Sequence, residues 1–522
     1  MSERPPAEDE RPLEGRAERG AFWVVMGYGG AQLIRLLGNL ILTRLLFEEA
    51  FGVMALMSTV LQGLELFSDV GIGPSLIQNE REDDAFVNTA WTLQVGRGLC
   101  IWGVACALAL PFAAFYEEPQ LAWLLPIVSA TALLAGFNST KLFTLNRQLD
   151  VRRIEISLIV AQVAGLGTMV IWALVDRSVL ALVAGALVTT GVRMLLSHTY
   201  LPGIRNRLRW ERPAAKELVR FGRWIFVSTL LTFLAGQADR LVFGRLVPLD
   251  RLGVYYIGVV IATIPSEALS RLSMQIIFPV YARIRERDGN FRAVFESIRT
   301  PLMVLAGWAF AGLIAGGPTA VDLLYDDRYL EAGWAVQILA AGGWVLVLGN
   351  TYGAALLAAD LPRGVAAGSF AKVLAMAGFI PLGFYLGEAQ GAGLGFPGAV
   401  LGYAVAEAVR YVVCTAACRE LELTGVPNDL RLSAVVAVTG GLGALFEAWL
   451  RAAEVHVVLR AALIALVVTL AWLPLGLPLL RARLALRRER RALHALHAEA
   501  HAHGETGAGT APAAAQPNPT ET

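Results

Sequence analysis

Charge is scarce in this chain: 17 % of its 522 residues are Asp, Glu, Lys or Arg, where a soluble globular protein carries about 25 %. That shortage excludes an ordinary water-covered surface. Lysine is scarcer still, present only as Lys141, Lys216 and Lys372. None follows a glycine, so there is no P-loop and no built-in ATPase. No Asp-x-Asp pair is present to chelate a metal–sugar nucleotide, and the loops are too short for a soluble catalytic domain, so an enzyme is not expected. The four cysteines (Cys100, Cys106, Cys414, Cys418) lie in or beside apolar segments, none at metal-like spacing from a histidine. They read as small packing residues. Met1–Gly20 is too long and too mixed in charge for a secretory signal. The tail histidines (His494, His497, His501, His503) read as a solvated tail without a metal. The run Gly393–Gly398 spells G-x-G-x-x-G, but it opens an apolar helix rather than a βαβ unit, so no dinucleotide cofactor is expected.

What is abundant is apolar sequence, 56 % of the chain. Apolar stretches of about 20 residues, the length that crosses a bilayer, recur with breaks at Pro, Gly or charge clusters. They predict an all-α polytopic membrane protein. Spans 1–6 fall near 21–46, 51–71, 88–115, 119–138, 155–175 and 178–200. Spans 7–12 fall near 221–247, 253–279, 300–324, 332–358, 365–386 and 392–415, and spans 13 and 14 near 431–450 and 455–480. This gives about 14 transmembrane helices. Arginine alternates between the loops. Arg147, Arg152, Arg153, Arg205, Arg207, Arg209, Arg212, Arg283, Arg285, Arg287 and the tail arginines 481–491 fall on one side, and short acidic or neutral turns on the other. The positive-inside rule then predicts both termini in the cytoplasm.

An internal repeat organises the chain. Thr43–Val53 aligns without a gap on Gly244–Val254, pairing Arg44 with Arg245, Glu49 with Asp250 and Gly52 with Gly253. Each copy lies at the outer turn after the first helix of a six-helix set, so the two sets are parallel repeats about an axis along the membrane normal. The expected divisions are a tail 1–20, an N-lobe 21–200, a basic loop 201–220, a C-lobe 221–418, two further helices within 431–480, and a basic, then disordered tail 481–522.

Ionisable side chains in lipid are costly, so each needs a partner or a wet cavity. Arg35, Arg97, Arg193, Arg240, Arg271 and Lys372 lie within spans, with Asp239 and Glu267 as the accompanying acids. The cations are candidates for a cavity that receives a pyrophosphate head group, since guanidinium pairs bidentately with phosphate oxygens. The two acids are candidates for ion coupling. For each residue the competing reading is snorkelling or an internal ion pair, with Glu65 as the rival partner of Arg35. Pro265 and Pro381 mark places where a span can bend, and Gly349-x-x-x-Gly353 suggests close helix packing.

Several runs also look familiar. Thr43-Arg-Leu-Leu with Phe51-Gly-Val53, Asp69 to Gln78, Asn146 to Arg152, Asp239 to Arg245 with Leu252 to Tyr256, and Ile277 to Arg283 resemble the polysaccharide-transporter branch of the multidrug/oligosaccharidyl-lipid/polysaccharide exporter superfamily. The likeness covers about residues 20–420; beyond that only hydropathy matches. It implies a bacterial inner-membrane flippase for undecaprenyl-pyrophosphate-linked oligosaccharides, working by alternating access without ATP. The implied partners are the lipid-linked substrate, membrane lipids and the polymerase and glycosyltransferases of surface or exopolysaccharide assembly, with no nucleic acid and no cofactor. A cation-coupled multidrug antiporter of the same superfamily is a weaker reading, because such exporters usually carry acids in the first lobe where this chain offers Arg35. A membrane polymerase or glycosyltransferase would need a long outer catalytic loop. A non-transporting scaffold remains a further alternative.

Overall fold

The computed structural model describes residues 13–68, 76, 83–147, 151–215, 234–272, 291–359, 361–391, 393–421, 423 and 425–478. The described residues are almost wholly helical. The first half contains α1 (Leu13–Leu45), α2 (Glu48–Phe67), α3 (Asp84–Tyr116), α4 (Leu121–Gly136), the short α5 (Lys141–Arg147), α6 (Val151–Val175) and α7 (Leu180–Thr199). The second contains α8 (234–246), α9 (Leu249–Leu272), α10 (Phe291–Leu324), α11 (Ala332–Ala358), α12 (Pro362–Gln390) and α13 (Gly395–Ala417). Two helices follow, α14 (Val426–Ala452) and α15 (Val457–Pro478). Ten of the helices, from α3 onward, are long and apolar enough to cross a membrane, and α4 is a shorter apolar helix. The chain is therefore a polytopic α-helical membrane protein. The motif runs Asp69–Gln78 (Leu76 apart) and Ile277–Arg283, the loop arginines 283–287 and the tail lie outside the described residues.

The helix ends follow the sequence. Asp83 caps α3 by accepting a hydrogen bond from the Phe86 amide at 2.9 Å, and α3 stops where Glu117 turns left-handed at φ 60°. Glu388 accepts from the amides of Gly393 and Gly395 at the start of α13, so the G-x-G-x-x-G run does open a helix. Pro265 and Pro381 sit inside α9 and α12, which continue through them.

Lipid gives helices little hydrophobic reason to associate, so contact depends on small residues that let backbones approach. The tightest approach in the second half is not at Gly349 and Gly353, where an added Cβ would find only ordinary contacts. It is between α12 and α13, where Gly383 faces the Gly398 carbonyl, Gly387 the Leu394 carbonyl and Gly402 the Phe379 carbonyl. The first half uses the same device, with Gly98 on Gly136 between α3 and α4 and Gly165 on Gly185 between α6 and α7. The largest apolar core joins Leu56, Met57, Leu124, Phe243, Tyr255 and Phe396, residues from both halves. A second packs Phe310, Trp344, Val436 and Trp472 where α10, α11, α14 and α15 meet.

Candidate functional site

On α1, Gln32, Arg35 and Asn39 lie three and four residues apart and so share one face of the helix. That face lines a cavity of about 280 Å³, closed by Ser58 of α2, Gln162 of α6, Thr189 of α7 and Tyr256 of α9. The walls between these groups are apolar, among them Leu42, Phe51, Met54 and Leu166. Arg35 is exposed, and among the described residues its guanidinium has no carboxylate partner. Gln32 Oε1 and Gln162 Oε1 are buried with no hydrogen-bond partner. A buried amide oxygen left without a donor is costly, so the cavity presents unmet acceptors beside an exposed cation. That combination suits hydroxyl groups and an anion.

Across the top of this cavity the halves touch, at the end where α1 stops and α2 begins. The repeat glycines meet here. A Cβ on Gly52 would run into the Leu249 carbonyl and one on Gly253 into the Glu48 carbonyl, and each would also press on the other glycine's amide. The two copies of the motif thus cross backbone to backbone in a near-symmetrical way. Arg328, in the turn after α10, donates to the Leu46 carbonyl at 3.1 Å and the Thr43 carbonyl at 2.8 Å. It also lies 3.7 Å from Glu48 and 2.6 Å from Asp326. Asn39 donates to the Tyr325 hydroxyl at 3.2 Å, and the Tyr116 hydroxyl donates to the Leu241 carbonyl at 3.1 Å. Arg245 pairs with Glu117 at 2.8 Å, both exposed, while Arg44 points outward.

The remaining sequence candidates divide. Arg240 donates to Gln237 at 2.5 Å and its guanidinium carbon lies 5.8 Å from the Tyr256 ring, so it borders the Arg35 cavity through that tyrosine. Arg193, on α7 one turn beyond Thr189, faces Glu155, the acid packed under Gly27 of α1. Arg97 does not join the cavity: it donates to Ser68 Oγ at 3.0 Å and to the Glu65 carbonyl at 2.5 Å, tying the end of α2 to α3. Glu65 accordingly lies beside Arg97 and not Arg35. Lys372 is buried against Glu407 at 2.5 Å, and Arg410 approaches the same carboxylate at 3.8 Å. Asp239 accepts from the Tyr255 hydroxyl at 2.7 Å, and its Oδ1 is buried without a hydrogen-bond partner. Glu267 is exposed, and the side chain of Arg271 lies outside what the structure describes.

Two charged clusters were absent from the sequence candidates. Glu407 and Arg410 sit in an apolar stretch, and the same rule that singled out Lys372 would have found them. Arg299 on α10 pairs with Asp429 on α14 through two contacts of 2.5 and 2.9 Å, with the Tyr352 and Tyr411 hydroxyls both donating to Asp429 at 2.9 Å. A further cluster joins α10, α14 and α15, and holds Glu447 and Arg460, whose sequence reading is a tie between the last two helices. Thr319 donates to Glu447 at 2.8 Å, Arg451 lies 3.1 Å from the same carboxylate, and Arg460 contacts Asp322.

A sequence profile described as polysaccharide biosynthesis protein matches residues 41–333. Lipopolysaccharide biosynthesis protein WzxC of Escherichia coli (strain K12) is 22 % identical over 357 residues, spanning 66 % of this chain and 70 % of that protein. Teichuronic acid biosynthesis protein TuaB of Bacillus subtilis (strain 168) is 22 % identical over 295 residues, 56 % of this chain and 61 % of that one. Succinoglycan biosynthesis transport protein ExoT of Rhizobium meliloti (strain 1021) is 24 % identical over 336 residues, 64 % of this chain and 67 % of that one. Among solved structures, lipid II flippase MurJ in its inward closed conformation superposes with a TM-score of 0.66 at 10 % identity, over 88 % of this chain and 99 % of that one. An inward-facing multidrug resistance MATE transporter of the MOP superfamily superposes with a TM-score of 0.52 at 15 % identity, over 77 % and 95 %. These two likenesses establish the fold. The matched profile runs through both copies of the repeat, from before Arg44 to beyond Gly253, and covers more than half of the sequence: the chain belongs to the polysaccharide biosynthesis protein family.

Proposed function

We propose that this protein is a flippase of the bacterial inner membrane that moves polyprenyl-pyrophosphate-linked oligosaccharide units across the bilayer for surface or exopolysaccharide assembly. The observation that carries the reading is the arrangement around Arg35. A cation with no carboxylate partner among the described residues and unmet amide acceptors line a cavity under an end where the two halves are locked together. A head group entering from the opposite end would meet a guanidinium for phosphate or acidic sugar and amides for hydroxyls. It could leave only after the lock of Gly52, Gly253 and Arg328 opened, which is the behaviour of an alternating-access carrier.

The locked end is periplasmic in this reading, with both termini cytoplasmic. The N-lobe, 21–200, and the C-lobe, 221–418, rock against each other about the glycine crossing. Asp239, with one oxygen unsatisfied, is the candidate for ion coupling, and Glu267, which is exposed, is the weaker one. Arg240 joins Arg35 in the substrate cavity, and Arg193 guards its far mouth. Polymerase and glycosyltransferases act beside it as partners.

The test is reconstitution. Purified protein in vesicles should move a fluorescent lipid-pyrophosphate oligosaccharide between leaflets without nucleotide, under an ion or substrate gradient. Strict dependence on added ATP, or movement of cationic drugs with none of the lipid-linked sugar, would overturn the proposal.

A further inference from the structure

At the end of the bundle opposite the glycine crossing, the chain leaves α7 and runs extended over residues 204–211 before the described part of the linker ends. This segment is not a slack loop. The amides of Arg207, Arg209 and Glu211, every second residue, donate to Asn88 Oδ1 at 2.7 Å, Thr92 Oγ1 at 2.9 Å and Thr89 Oγ1 at 3.1 Å. Thr92 returns a bond to the Arg209 carbonyl at 2.8 Å. Asn206 bridges Ser139 and Thr140 at 2.5 and 2.6 Å. Lys141 fixes the start of the segment by donating to the His198 and Leu201 carbonyls, both at 2.9 Å. Ile204 and Ala214 are tucked into a small apolar core with Phe86, Val87 and Ala90. The first turns of α3 therefore act as a rail that holds an extended strap.

What the strap presents outward is unusual. Arg205, Arg207, Arg209 and Arg212 are all exposed, and none pairs with a carboxylate among the described residues. Between them Leu208 and Trp210 stand 71 % and 58 % exposed, a cost in water that a purely topological arginine cluster would not explain. Depth accounts for it. α3 has 33 residues and so is roughly 50 Å long at 1.5 Å per residue, against about 30 Å of hydrocarbon. Its first turns, where the strap lies, fall at headgroup level. Trp and Leu belong at that level, and arginine there meets phosphate.

We infer that the strap of residues 204–214 is a binding surface for acidic phospholipid headgroups, with the four guanidiniums on the phosphates and Leu208 and Trp210 seated among the acyl chains. Because the backbone is already fixed on α3, little ordering is needed when lipid binds. The inference does not depend on what the protein transports.

Full-length protein carrying photoactivatable phosphatidylglycerol in mixed-lipid nanodiscs should give cross-links that peptide mapping places within 204–214. The quadruple change R205Q/R207Q/R209Q/R212Q should cut that yield at least about tenfold, as expected when several surface cations are removed, and Trp210→Ser should cut it less. Photoactivatable phosphatidylcholine should label the strap weakly. If the quadruple variant does not fold, added KCl on the unaltered protein should lower the phosphatidylglycerol yield, because screening weakens exposed charge. Adducts confined to the C-terminal basic tail, equal labelling by phosphatidylcholine, or a yield indifferent to salt would each overturn the proposal. Loss of labelling to inorganic phosphate at constant ionic strength would point to a free-anion site and overturn the lipid assignment.

Discussion

The Arg35 cavity of the first half and the ion pairs of the second treat charge in opposite ways. In the second half and the helices that follow it, three sets of buried ions are paired across helices, Lys372 with Glu407, Arg299 with Asp429, and Arg460 with Asp322 and Glu447, with Asp239 the exception. In the first half Arg35 stands without a carboxylate among the described residues, in a cavity edged by unpartnered amide oxygens. A paired ion in a low-dielectric interior fixes register and contributes little net stability, whereas an unpaired one beside water is available to a ligand. On the proposed reading, the difference separates scaffold from working surface: the paired ions brace the second half, and the cavity built mainly on the first half receives the substrate.

The comparison breaks most visibly where a brace loses one partner. Asp429→Ala leaves the Arg299 guanidinium buried and uncompensated, at a cost of about 3–5 kcal/mol, so folded protein should collapse in fluorescence-detected size exclusion. The double change Arg299→Met with Asp429→Ala should recover much of it. Next comes the crossing between halves. Gly253→Val forces a side chain into the Glu48 carbonyl, and overpacking of this kind costs about 1–3 kcal/mol. Transport should fall severalfold, while a thiol probe placed at residue 46 gains access from the periplasmic side; unchanged access would remove the crossing from the lock. The working surface should answer differently. Arg35→Ala should abolish transport yet shift stability by no more than about 0.5 kcal/mol, with Arg35→Lys restoring part of the activity because an ammonium lacks the bidentate fork. If Arg35→Ala instead reduces folded protein as strongly as Asp429→Ala, the contrast between the halves fails.

The smallest effect concerns Lys141 at the strap. Burial, and then the nearby charge of Arg205, push its ammonium below the usual lysine range. Between that lowered value and the ordinary one, the unfolded chain holds more protons than the folded one, so this lysine makes stability rise with pH across that window. The unfolding midpoint of the unaltered protein should climb with pH there, and Lys141→Met should flatten the slope. Equal slopes would show that Lys141 does not feel its burial.

Length and hydropathy were enough to place most of the helices among the described residues, because a run of apolar residues long enough to span lipid leaves few alternatives. The repeat was legible too, and its two glycines, Gly52 and Gly253, meet backbone to backbone. Pairing was not legible. Arg97 and Lys372 look the same as Arg35 in sequence, an isolated cation in an apolar run. What separates them is a carbonyl on α2, a carboxylate on α13 or nothing among the described residues, and each is decided by how distant helices pack. Arg299 and Asp429 are 130 residues apart, beyond the reach of any local pattern.

The crossing of Gly52 on Gly253 has a genetic consequence. Two copies of one motif ordinarily drift apart, since each answers to its own surroundings. Here each copy is the other's surroundings, so a bulky residue in one can be accommodated only by movement in the other. A suppressor screen begun from a damaged Gly52 should return changes near residues 249–253, two hundred residues downstream, and a screen begun from Gly253 should return changes near 48–52. The duplication would then behave as a single locus written in two places.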